Sequence, residues 1–131
     1  MGHEEPGRLR RAVHRLTTQA SELDAEDLQK QRGKVGATPL SACVDRTPVT
    51  VFGTIRALTI RPRAGAPALE AELFDGGDVV TLVWLGRRTI AGIEPGRQLR
   101  ATGRITTGEG RRLIYNPRYE LLAPEVVESG G

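Results

Sequence analysis

The chain has 131 residues, nineteen basic and sixteen acidic, with 38% hydrophobic residues and five aromatics, enough for one modest core and too little for two. Its longest nearly apolar run, residues 79–85, is far short of the ~20 residues that cross a bilayer, and residues 1–16 lack the apolar stretch of a secretion signal, so the expectation is a cytoplasmic protein. One cysteine, Cys43, and two histidines, His3 and His14, leave no internal disulfide, no thiolate zinc site and no histidine metal chemistry in the main body.

Leu9, Val13, Leu16 and Ala20 fall at helical spacing and Leu23 continues the stripe, which predicts an amphipathic N-terminal helix over residues 8–20. Asp24 suits an N-cap, so a short second helical turn is expected through Gln31, ended by Gly33, Gly36 and Pro39. From Pro48 the period changes to two. One long strand is expected over residues 48–60, with Gly53 in its middle as the mark of a bulge or bend. The segment 61–67, RPRAGAP, reads as a loop. A second strand is expected over 68–74, a tight hairpin at Asp75-Gly76-Gly77-Asp78, and a third strand over 79–85, apolar on both faces. Residues 86–92 have room for a short helical turn. Pro95-Gly96 opens a fourth strand over 98–107, and a turn at 107–110 leads to a fifth over 111–115, interrupted at Asn116-Pro117 and resumed to Leu122.

Charge divides the chain into three parts: a neutral helical leader and linker over 1–45, a barrel domain over 46–123 with twelve arginines against seven acids, and an acidic tail over 124–131. Seventeen of the nineteen basic residues are arginine, which agrees with a GC-rich genome as well as with phosphate binding. The order of elements predicts an all-β fold, a five-stranded Greek-key barrel of the oligonucleotide/oligosaccharide-binding (OB) type with an N-terminal amphipathic helix. An SH3-like barrel is the competitor, disfavoured by the long first strand and the insert between strands three and four.

The stretches VTVFGTIRALTI, LEAELFDGGDVVTLVWLG, IAGIEPGRQLRATGRI and LIYNPRYELL, spread over residues 49–122, resemble the single-domain OB-fold nucleic-acid-binding proteins of high-GC bacteria. More distantly they resemble the wedge domain of RecG-type helicases and the anticodon-binding barrels. The most specific parts are the Phe-Asp-Gly-Gly hairpin, the Pro-Gly before strand four, the Gly-Arg-Ile within it and the closing Asn-Pro-Arg-Tyr. The resemblance implies a nucleic-acid partner.

OB barrels grip single strands across strands two and three, between the loops that join strands one and two and strands four and five. Phosphates need a cationic groove and bases need flat side chains to stack on. Arg61, Arg63, Arg111 and Arg112 fall in those two loops, and Phe52 and Phe74 are expected to point outward as a stacking platform; the alternative is an aromatic pair covered by the N-terminal helix. Arg56, Arg87, Arg88 and Arg104 extend the basic surface, Trp84 faces inward, and Tyr115 and Tyr119 read as core or corner residues. Glu70 and Glu72 lie on the same face and repel phosphate; Arg56 opposite Glu72 offsets one of them, whereas Glu70 has no evident partner. Asp75 and Asp78 bracket a turn without a histidine, lysine or cysteine beside them, and there is no Walker-type phosphate loop, so no catalytic group, metal or cofactor is expected. The leading expectation is a non-enzymatic protein that binds single-stranded DNA or RNA weakly and with little sequence preference. The alternatives are a protein-interaction adaptor using the N-terminal helix and the apolar outer face of strand three, and, more weakly, a binder of sugars or small anions.

Overall fold

The computed structural model describes residues 25–123. A helix, α1, spans residues 25–34 and a single 3-10 turn spans Leu40–Ala42. Six strands follow: β1 Pro48–Arg63, β2 Ala66–Phe74, β3 Val79–Leu85, β4 Gln98–Gly108, β5 Arg111–Tyr115 and β6 Arg118–Leu122. The sheet runs β1-β2-β3-β5-β4 and closes through a β1–β4 ladder, with the β3–β5 pairing parallel and all others antiparallel. This closed five-stranded sheet is the expected OB-type barrel.

Closure depends on β1 serving two neighbours. Residues 48–54 pair with β4 and residues 54–63 with β2, and Thr54 belongs to both ladders. The handover coincides with a bulge between Ile55 and Ala57 and follows directly on Gly53, where any Cβ would run into the carbonyl of Phe74. A side chain at 53 would hold the two ladders apart. Inside, Val51, Ile55, Leu73, Leu82, Leu99 and Ile114 are fully buried, each contributing about 1.5–3 kcal/mol by removal from water. Trp84 is buried as expected; its indole N–H donates to the Pro117 carbonyl at 3.3 Å and its ring meets Tyr119 edge-on, centroids 5.7 Å apart.

Two expected loops are hairpins instead. β1 continues to Arg63 and β2 starts at Ala66, joined only by Ala64 and Gly65, both left-handed at φ 52° and 80°. β4 and β5 are joined likewise by Glu109 and Gly110, at φ 56° and 73°. Two prolines made 61–67 look irregular, yet Pro62 and Pro67 face each other one step from the turn, at a pair that calls for no N–H donor between the two strands, which suits residues that have none. The insert over 86–92 forms turns and no helix, with Gly86 and Gly92 both left-handed. At Asn116-Pro117 the β4 register moves by one residue between β5 and β6, and Asn116 takes φ 49°.

The leader is part of the packed structure from residue 25 onward. α1 runs one turn beyond the expected end at Gln31, and left-handed Gly36 follows it. Leu40 is wholly buried in the core, the Thr38 N–H donates to the Thr50 carbonyl at 2.9 Å, and Arg46 and Thr47 exchange backbone bonds with Ile105. Asp75 ties these parts together. Its Oδ1 accepts from the N–H groups of Gly77 (2.9 Å) and Asp78 (2.8 Å), while Oδ2 accepts from Leu40 N–H (2.9 Å) and Arg32 (3.0 Å). One buried carboxylate thus shapes the β2–β3 turn and fastens the leader to it. The expected helix over 8–20, with its stripe from Leu9 to Leu23, and the tail over 124–131 lie outside the described residues.

Candidate nucleic-acid interface

Register fixes what the outer face of β1, β2, β3 and β5 presents. One row across it reads Thr59, Glu70, Val83, Tyr115; the row toward the β1–β2 turn has Arg61, Ala68 and Leu85. Glu70 is only 3% exposed. Its missing partner is a group of three arginines. Arg63 donates to Oε2 through Nε (3.2 Å) and Nη2 (2.9 Å), Arg111 donates to Oε1 at 3.2 Å, and Arg61 lies 3.4 Å from Oε1. A carboxylate buried this deeply is tolerable only with such charge-assisted bonds. The positive strands thereby hold the negative residue that sequence reasoning counted against the site.

Glu109, on the β4–β5 turn, caps the same arginines from the solvent side: Oε1 accepts from Arg111 Nη2 at 2.7 Å and from Arg63 Nη2 at 3.2 Å. The Arg111 and Arg63 guanidiniums hold its carboxyl below the usual glutamate range, and Glu70 and Glu109 in turn hold Arg63 and Arg111 firmly protonated. All four arginines expected in loops are therefore strand residues, and Arg63 and Arg111 are bound most fully into an internal network. Arg112 points to the other side of β5, donates to the Leu40 carbonyl at 2.7 Å and secures the leader. Arg56 pairs with Glu72 at 2.9 Å as expected, although it reaches it from the bulge, since Ala57 and not Arg56 stands opposite Glu72. Arg104 donates to the Arg46 carbonyl at 2.6 Å, on the β1–β4 side of the barrel away from this face. Arg61 keeps more than half its side chain in solvent, and Arg87 and Arg88, just beyond the end of β3, are exposed and without a bonded partner among the described residues.

The aromatic platform is not where alternation alone put it. Phe52 does project from the barrel, directly opposite Arg100 on β4, but it is 1% exposed. The leader crosses this part of the sheet, bonded to the Thr50 carbonyl and, through the Val35 carbonyl, to Arg100. Phe74 is half-buried where α1 packs over the β2–β3 turn, with Gln29 donating to the Gly76 carbonyl at 3.1 Å. Neither ring is an open stacking surface; no ring contact joins the two among the described residues, and the helix over 8–20 expected to cover them lies outside those residues. The exposed aromatic of the face is Tyr115, 38% exposed, with the Arg63 guanidinium 5.6 Å from its ring centroid and bonded to its hydroxyl at 3.3 Å. Leu85, 44% exposed, lies two residues along β3 from Tyr115's neighbour Val83. Tyr115 was legible in principle, because Arg112 and Ile114 facing inward force Arg111, Leu113 and Tyr115 outward; the Asn116-Pro117 break hid that parity. On β3 the outward apolar surface offered to an adaptor partner is largely absent, since Val83 is buried and only Leu85 is open.

A separate polar groove of about 410 Å³ lies on the β1–β4–β6 side, lined by Thr50, Arg100, Thr102, Arg118 and Glu120 among others. Burial pushes the Cys43 thiol up, so it is protonated at neutral pH. No helix among the described residues is long and apolar enough to cross a membrane.

No family model matches the chain, and no curated protein sequence matches it. Solved structures share its fold. One is RecG bound to a three-way DNA junction, with a TM-score of 0.53 and 24% identity over 66% of this chain and 12% of that one. Another is the HINb domain of p204, with a TM-score of 0.55 and 21% identity over 70% of this chain and 50% of the other. The chain thus spans at most half the length of either, and the likeness is one of fold.

Proposed function

We propose that this protein binds single-stranded DNA or RNA, weakly and with little sequence preference, on the outer face of β1, β2, β3 and β5. The observation that carries this reading is Tyr115, an open aromatic ring set beside arginines on that face of an OB-type barrel. An unpaired base stacks on Tyr115 with Leu85 as an apolar wall, and the flanking phosphates meet Arg61, Arg87 and Arg88. Six arginines stand on or beside the face against three glutamates, so it remains cationic after internal pairing, although much less so than a count of arginines suggests. The fold shared with RecG, which was solved on a DNA junction, supports the choice of ligand class. On this reading the protein acts by binding.

The test is fluorescence anisotropy with a labelled oligothymidine of about 12 nucleotides and a duplex of the same length. Two to three phosphates neutralised give a log–log salt slope near about −2, so affinity for the single strand falls about tenfold between about 50 and about 200 mM salt. Equal affinity for the duplex would contradict base stacking on Tyr115, and no binding at the lower salt would contradict the function.

A further inference from the structure

The arginines at the centre of the face are gripped from two sides, and the two grips differ. Glu70 holds their inner edges and is buried. Glu109 holds their outer edges with 54% of its side chain in solvent. Its Oε1 accepts from Nη2 of both Arg63 and Arg111, at 3.2 and 2.7 Å, and its Oε2 accepts from Arg63 Nη1 at 3.3 Å. One anion with two oxygens thus bridges two guanidinium forks, which is how the non-bridging oxygens of a phosphodiester are received by paired arginines. A second feature belongs to the same residue, as it does to Ala64 at the equivalent place in the β1–β2 turn. Glu109 is the first of two turn residues with positive φ, a position that favours Asn, Asp or Gly. A glutamate there breaks a local rule, and such departures concentrate where a side chain serves something other than the turn.

We propose that Glu109 is a displaceable stand-in for a backbone phosphate, and that Arg63 and Arg111 form the phosphate subsite it occupies. The proposal rests on the nucleic-acid reading and names a part of the same site. When a single strand binds, a phosphodiester takes over the three bonds to Arg63 and Arg111, Glu109 turns into solvent, and buried Glu70 keeps both guanidiniums aimed. Anions that cannot bridge two forks are rejected because they do not replace what they displace. The exchange also accounts for weak binding on a face built from so many arginines.

Glu109→Asn removes the carboxylate and leaves a residue suited to the turn, so its melting temperature stays within a few degrees of wild type. Glu94→Gln, an exposed acid in the β3–β4 connection, controls for the loss of one charge. With the labelled oligothymidine, Glu109→Asn binds about 3- to 10-fold more tightly than wild type with the same log–log salt slope, because the same phosphates are held in both complexes; Glu94→Gln changes affinity less than about twofold. Binding seen only in Glu109→Asn overturns the displacement, because wild-type Glu109 then blocks the arginines instead of yielding them. Wild-type binding with no greater gain in Glu109→Asn than in Glu94→Gln overturns the displacement and leaves the nucleic-acid reading standing. No binding by either chain overturns both.

Discussion

Asp75 and Glu70 are buried carboxylates on the same strand and its turn, and each collects donors from distant parts of the chain. Asp75 accepts four hydrogen bonds, two from its own turn and two from the leader. Asp75→Ala leaves Leu40 N–H and Arg32 without their acceptor and is expected to lower stability by about 3 kcal/mol, read as a reduced urea midpoint. A variant within about 0.5 kcal/mol of wild type would mean that the leader docks without it. The turn role of Asp75 was legible in Asp-Gly-Gly-Asp because aspartate bonds its own backbone over two or three residues. Its link to Leu40, thirty-five residues away, leaves no local trace. Glu70 is similar: alternation placed it on the outer face, but only the three-dimensional convergence of β1 and β5 shows why a carboxylate is acceptable there.

At the scale of elements, strands and their order followed from period two, the Gly53 bend and the turn signals, since these are local constraints. The segment 61–67 differs from the expected loop because Ala64-Gly65 makes a two-residue turn while Pro62 and Pro67 sit at paired strand positions. That difference moves Arg61 and Arg63 from a loop onto a strand, where register aims them at Glu70. Phe52 was misplaced for a related reason. Its outward direction was right, but a covering element is not visible in strand alternation. Gly53 is the position at which β1 is most sensitive. Gly53→Val drives a side chain into the Phe74 carbonyl and is expected to cost about 3 kcal/mol or more, with loss of cooperative thermal unfolding as the observable. Unfolding as cooperative and as stable as wild type would contradict the role assigned to the bend.

For the whole molecule, the arginine surplus becomes a smaller and better placed charge. Glu70, Glu72 and Glu109 neutralise much of the face, Arg112 secures the leader, and Arg104 sits on the far side. What remains is a modest cationic rim of Arg61, Arg87 and Arg88 around one open tyrosine, suited to transient hold on a flexible polyanion. The fold carries this arrangement without fixing it, since OB-type barrels serve several ligand classes and the site must be argued from its own residues. The most direct measurement is the affinity of Tyr115→Ala for a labelled single strand, taken alongside its melting curve. The account predicts a loss of about 1–3 kcal/mol in binding, roughly 5- to 100-fold, with an unchanged transition, because Tyr115 lies outside the barrel core. Wild-type affinity in that variant would contradict the assignment of the binding face.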